Sequence, residues 1–84
     1  MKNKKDLKNQ ILYRSTHRGT KEMDMLLGRF VKKYINELND KDLLDLDEIL
    51  NYDDEILFKW YFNRSSWKIV QENRITRMLR SFKL

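Results

Sequence analysis

Residues 20–38 read TKEMDMLLGRFVKKYINEL, and this stretch decides the fold. Met23, Leu26, Leu27, Phe30, Val31, Tyr34, Ile35 and Leu38 recur at i, i+3, i+4 and i+7, the spacing that lines one face of an α-helix. A strand would need strict alternation. No clean alternating run occurs, and Val appears only twice and Thr three times in 84 residues. The spacing therefore predicts a central helix over 20–38. Gly28 falls inside it. A helical Gly costs about 1 kcal/mol against Ala, so a neighbouring helix is expected to approach closely there.

Four more helices follow outward from that one. Residues 5–15 carry Leu7, Ile11, Leu12 and Tyr13 on a narrow apolar face that needs support from the rest of the fold, and Arg18-Gly19 ends this segment. Asn39-Asp40 suits an N-cap, because a short side-chain oxygen accepts from free backbone N–H groups. Leu43, Leu46, Ile49 and Leu50 follow it at helical spacing. Asp53-Asp54-Glu55 repeats the signature for a short fourth helix with Ile56, Leu57, Trp60 and Tyr61 inward. After a turn at 63–66, Ser65 or Ser66 can cap a fifth helix. That helix bears Val70, Ile75, Met78, Leu79 and Phe82, with Arg74, Arg77, Arg80 and Lys83 on another side. The expectation is an all-α, compact bundle of about five short helices forming a single domain over 1–84, with residues 1–5 a flexible basic terminus.

Charge is strongly patterned. Residues 1–38 hold ten Lys/Arg and four Asp/Glu, residues 39–63 two and eight, and residues 64–84 six and one. A basic–acidic–basic chain can satisfy much of its charge internally, which argues against a uniform nucleic-acid-binding face. There is no Cys and only one His, His17, so thiolate and multi-His metal sites within the chain are excluded. No stretch approaches the ~18 consecutive apolar residues of a membrane span. The first residues resemble neither a secretory signal nor a transit peptide, so a bacterial cytoplasm is the expected location.

Catalytic constellations are scarce. There is no GxSxG, phosphate loop or HExxH, and Ser15 or Thr16 would have to use neighbouring His17 as a base, although helix neighbours do not face each other. The acids of residues 40–55 lack calcium-loop spacing and read as caps and a solvated face. Trp60, Trp67, Tyr13 and Tyr61 suit base stacking in a small basic nucleic-acid-binding module, the alternative function, but Trp60 falls on the predicted core face. No catalytic residue and no bound cofactor or metal is expected.

Arg18-Gly19-Thr20-Lys21-Glu22 is harder to place. Gly19 allows backbone conformations closed to other residues and close approach by a partner. Arg18 offers a planar fork for carboxylate or phosphate. A plain turn, with Glu22 complementing the helix dipole and Arg18 solvated, explains the same residues.

Residues 18–24, RGTKEMD, resemble the R-G-x-x-E-x-D signature of the succinate dehydrogenase assembly factor 2 family, called SdhE in bacteria. Residues 53–60, DDEILFKW, are similar to the acidic cap, Leu-Phe pair and Trp of that family's fourth helix, and the basic, apolar-striped terminal helix makes a third match. Thr20 stands where many members carry Met, and Glu55 where Pro is common. The resemblance implies an assembly factor, not an enzyme. Such a factor binds the flavoprotein subunit of succinate dehydrogenase, in some bacteria that of fumarate reductase, and promotes covalent FAD attachment to it. FAD would then belong to the partner, with nothing bound stably here. Arg18, Gly19 and Glu22 would contact that partner, with Asp24 supporting the turn or the edge of the contact. The free chain is expected to be a monomer with neither nucleic acid nor membrane as partner.

Overall fold

A computed structural model describes residues 3–63 and 68–83. Five helices follow in order: α1 Lys4–Ser15, α2 Lys21–Tyr34, α3 Asp40–Ile49, α4 Asp54–Phe62 and α5 Arg74–Ser81. No strand occurs among the described residues.

Caps set most of the boundaries. The Asn3 side chain accepts from the Asp6 N–H at 2.8 Å, so α1 starts at Lys4 and draws two residues of the expected flexible terminus into a helix. Thr20 caps α2 and accepts from the Met23 N–H at 3.4 Å. Asn39 and Asp42 form a capping box on α3, as do Asn73 and Thr76 on α5.

Four sequence readings need correction, one being that Ile56, read as inward on the fourth helix, is exposed. Helix α2 ends at Tyr34 rather than reaching Leu38, although Ile35 and Leu38 remain buried in the connection. Asp53 occupies the N-cap position of α4 but makes no side-chain cap bond. Helix α5 starts at Arg74 because the Asn73–Thr76 box fixes it there, leaving Val70 buried but outside the helix. Ser65 and Ser66, read as possible caps, lie outside the described residues.

The core is formed by Phe30, Trp60, Leu26, Leu27, Leu43, Leu46 and their neighbours. Helix α2 supplies more buried side chains than any other helix. In the packing order, however, α1 takes the middle place: it packs on α2 and α3, while α2 packs on α4 and α3 on α5. The narrow apolar face of α1 is reinforced by polar ties. Arg14 pairs with Asp47 at 2.7 Å, and Gln10 donates to the same carboxylate at 3.1 Å. The radius of gyration is 12.0 Å, that of a compact chain of this length. Burial pushes the Tyr61 phenol above 10.0, and its hydroxyl donates to the Phe82 carbonyl.

Much of the alternating charge closes on itself. Lys4–Asp40, Arg14–Asp47, Arg18–Asp54 and Arg74–Asp42 each join a basic end of the chain to its acidic middle.

Gly28 is the point of close approach that the sequence predicts. A Cβ placed there would lie 3.3 Å from Thr16 Cγ2 and 3.8 Å from the Ser15 carbonyl oxygen. Gly28→Val is therefore expected to push α1 off α2 and to cost about 1–3 kcal/mol, as overpacking typically does. Thermal melts of the variant and the wild type check this, and an unchanged midpoint would contradict it.

Candidate functional site

The turn between α1 and α2 is held from three sides. Arg18 is its main clamp. The Arg18 Nε donates to Asp54 Oδ1 at 2.6 Å, one terminal nitrogen donates to the Leu50 carbonyl at 2.8 Å, and the other donates to the Tyr52 carbonyl at 2.6 Å. The Arg18 and Asp54 side chains are only 10% and 13% exposed. The planar guanidinium thus joins a carboxylate and two backbone carbonyls at once, a geometry that a Lys ammonium cannot reproduce.

The end of α3 explains why an Arg is needed there. The last carbonyls of a helix lack intrahelical partners and favour cations. Helix α3 has no basic residue in its last turn. Arg18, reaching across from the α1–α2 turn, supplies a donor to the C-cap carbonyl of Leu50 and a second to the Tyr52 carbonyl in the connection beyond it.

Asp54 works in two directions. Its Oδ1 accepts from Arg18 and its Oδ2 accepts from the Thr20 N–H at 2.9 Å. Asp24 supports the turn from α2 by accepting from the Arg18 backbone N–H.

Gly19 does not owe its place to backbone conformation, as the sequence suggested. Neither glycine has a positive φ, so no left-handed conformation demands it. A Cβ at Gly19 would instead sit 3.3 Å from Asp54 Oδ2, tighter than an ordinary contact. The residue leaves room for the carboxylate that holds the turn.

Glu22 differs from the others. It is exposed in the first turn of α2, and its side chain has no ion pair or hydrogen bond among the described residues. Of the four residues singled out in sequence, Arg18, Gly19 and Asp24 meet at the clamp, whereas Glu22 faces solvent. Arg18 is neither solvated nor holding an idle fork. Sequence reasoning missed Asp54 as its partner because the acid read as a helix cap. The available signal was an α3 without a basic last turn.

His17 is exposed beside the turn and stacks on Tyr13 with ring centroids 4.0 Å apart. Its Nδ1 lies 2.7 Å from the Tyr13 carbonyl oxygen. Thr16 Oγ1 does come within 3.2 Å of that nitrogen, contrary to the helix-neighbour argument, because Thr16 is the C-cap where helical geometry ends. The Thr16 and Ser15 hydroxyls are engaged with the Leu12 carbonyl at 2.9 and 3.0 Å, so neither is set up as a nucleophile. Trp60 is fully buried and cannot stack on a base, and Trp67 lies outside the described residues. Among the described residues no cluster of three acids or His could hold a metal, and no helix is long and apolar enough to cross a membrane.

Beside the clamp lies an open depression of about 450 Å³, bordered by His17, Gly19, Tyr52 and Asp53. It is open to solvent rather than enclosed.

Comparison with known proteins agrees with the resemblance read in the motifs. The family model described as flavinator of succinate dehydrogenase matches residues 9–83. The FAD assembly factor SdhE of Acetobacter pasteurianus is 34% identical over 73 residues, covering 87% of this chain and 64% of that protein. Succinate dehydrogenase assembly factor 2, mitochondrial, of Arabidopsis thaliana is 36% identical over 58 residues, 69% of this chain and 31% of that protein. The protein of the same name from Scheffersomyces stipitis is 39% identical over 51 residues, 61% and 34% respectively. The chain thus spans from about a third to just under two thirds of the length of these relatives.

Proposed function

The chain belongs to the family of the flavinator of succinate dehydrogenase, and we propose that it is an assembly factor for the flavoprotein subunit of that enzyme. On this reading it binds the subunit and promotes covalent attachment of FAD, with fumarate reductase as a second possible client. The observation that carries the reading is the family match over residues 9–83, which includes the whole clamped turn.

The geometry supports a division of roles at the turn. Arg18 and Asp54 act as positioning residues, since each is almost wholly occupied within the chain. Asp24 holds the entry to α2. Gly19 puts no side chain over Asp54, and Glu22, exposed and unpaired among the described residues, is the acid of the motif that would address a partner. A preformed turn lowers the ordering cost of association. A factor that binds one conformation of its partner better than another shifts the population by that differential affinity. The covalent bond would then form within the flavoprotein, in a bacterial cytoplasm, and this chain would hold the partner in the competent state without performing the chemistry itself.

Direct binding tests the reading. The chain, as a monomer, is expected to form a stoichiometric complex with the purified flavoprotein subunit, seen by size-exclusion chromatography and calorimetry. Raising salt should weaken the complex modestly. If there is no complex, while duplex or single-stranded nucleic acid is bound with affinity that collapses steeply as salt rises, the nucleic-acid alternative would replace this reading.

A further inference from the structure

The outer side of α4 carries a feature that the clamped turn does not use. Phe58 and Phe62 are four residues apart, their ring centroids lie 4.6 Å apart, and they remain 42% and 50% exposed. Leu57 and Trp60 of the same helix are buried, so α4 already has its inward face on the core. The two rings form a second apolar face. Their ring contacts among the described residues are with each other and, for Phe62, with Tyr61 at 4.7 Å.

Position along α4 shows what this face adjoins. Residues i, i+4 and i+8 of a helix form one slanting row, rising about 6 Å per step. Asp54, Phe58 and Phe62 are such a row. Its first member lies under the turn, bonded to the Thr20 N–H at 2.9 Å and to Arg18 at 2.6 Å. The row runs from beneath Gly19 and Thr20 out to the two rings, a distance of about 12 Å.

Area limits what the two rings can do alone. An aromatic side chain covers roughly 150–250 Å², so two half-exposed rings offer on the order of 200 Å². A stable interface needs about 800 Å² per partner. The rings alone are too small to hold any partner, and the surface that continues them is the turn, under which Asp54 of the same row lies, so they can serve only as an anchor within one larger contact that includes the turn. We infer that Phe58 and Phe62 anchor the same protein that the turn addresses. They would enter an apolar recess of that partner, with the exposed Glu55–Lys59 pair, 3.5 Å apart, at the rim. The identity of the partner rests on the proposed function.

The test is calorimetry of the flavoprotein subunit with the full chain carrying Phe58→Ser and Phe62→Ser together. Each single variant is read alongside, so that one poorly folded protein does not decide the result. Leu44→Ser is the control, an apolar side chain 58% exposed on α3. The paired variant is expected to bind roughly tenfold to a hundredfold more weakly, as when interface anchors are truncated. Leu44→Ser should bind like the wild type. Wild-type affinity in the paired variant would overturn the inference and leave the proposed function standing. An equal loss with Leu44→Ser, or wild-type self-association that the paired variant abolishes, would also overturn it. A wild-type chain that does not bind the subunit at all would remove both.

Discussion

Arg18→Ala is expected to lower the melting temperature by more than about 12 °C, from a loss of about 3–5 kcal/mol when one partner of a buried pair is removed. The substitution takes the charge partner from an Asp54 carboxylate that is only 13% exposed, leaving it the Thr20 N–H alone, and strips the carbonyls of Leu50 and Tyr52 of their donors. A chain of this size has about 4–12 kcal/mol of total stability, so the loss takes a large share of it. The effect should also be local before it is global. Amide exchange at the α1–α2 turn and at the α3–α4 connection should accelerate first, because the clamp joins those two segments. Arg18→Lys separates charge from shape. It keeps the cation near Asp54 but cannot reach both carbonyls, and it should recover only part of the loss. Urea melts of the two variants beside the wild type decide the matter. If Arg18→Ala melts like the wild type, the clamp is not structural and Arg18 must be reassigned to direct contact.

Glu22→Lys should separate binding from folding in the opposite sense. Glu22 is exposed and its side chain is unpaired among the described residues, so stability should change by no more than about 1 kcal/mol, chiefly through the dipole of α2. Binding should suffer far more. Reversing a charge that faces a complementary group replaces attraction by repulsion, and truncation of a central interface residue alone costs about 2 kcal/mol or more, roughly thirtyfold in affinity. The readout is the pair of numbers, melting temperature and dissociation constant, for Glu22→Lys against Lys32→Ala on the same helix. A Glu22→Lys chain that binds as tightly as the wild type would move the contact away from the turn.

How much of this was legible in the residues depends on which bonds are local. The five helices were readable because apolar spacing, as in the stripe from Met23 to Ile35, and the cap at Asn39 act within one turn of chain, whereas Thr20, the cap of α2, was read as its first helical residue. Gly28 was readable because a glycine inside so regular a stripe demands a spatial reason, and Thr16 supplies it. The overreach of α2 to Leu38 came from the same rule: a buried residue at helical spacing need not be helical. The clamp itself was not readable, because an α3 without a basic last turn signals that a cation is wanted but not which one. Arg18 and Asp54 are 36 residues apart, and each has a sound local explanation, as a solvated turn residue and as a helix cap. Only the fold shows that both explanations are displaced by their pairing. The RGxxE pattern therefore divides in two. Its Arg and Gly build the turn around Asp54, and its Glu stays exposed on the first turn of α2.

The most direct measurement is covalent flavin on the flavoprotein subunit, produced with and without this chain and read by in-gel fluorescence after denaturation. Added chain should raise the fluorescent, covalently flavinylated fraction severalfold, with Lys32→Ala as effective as wild type and Glu22→Lys close to the chain-free level. The same flavin incorporation with and without the chain would contradict the account.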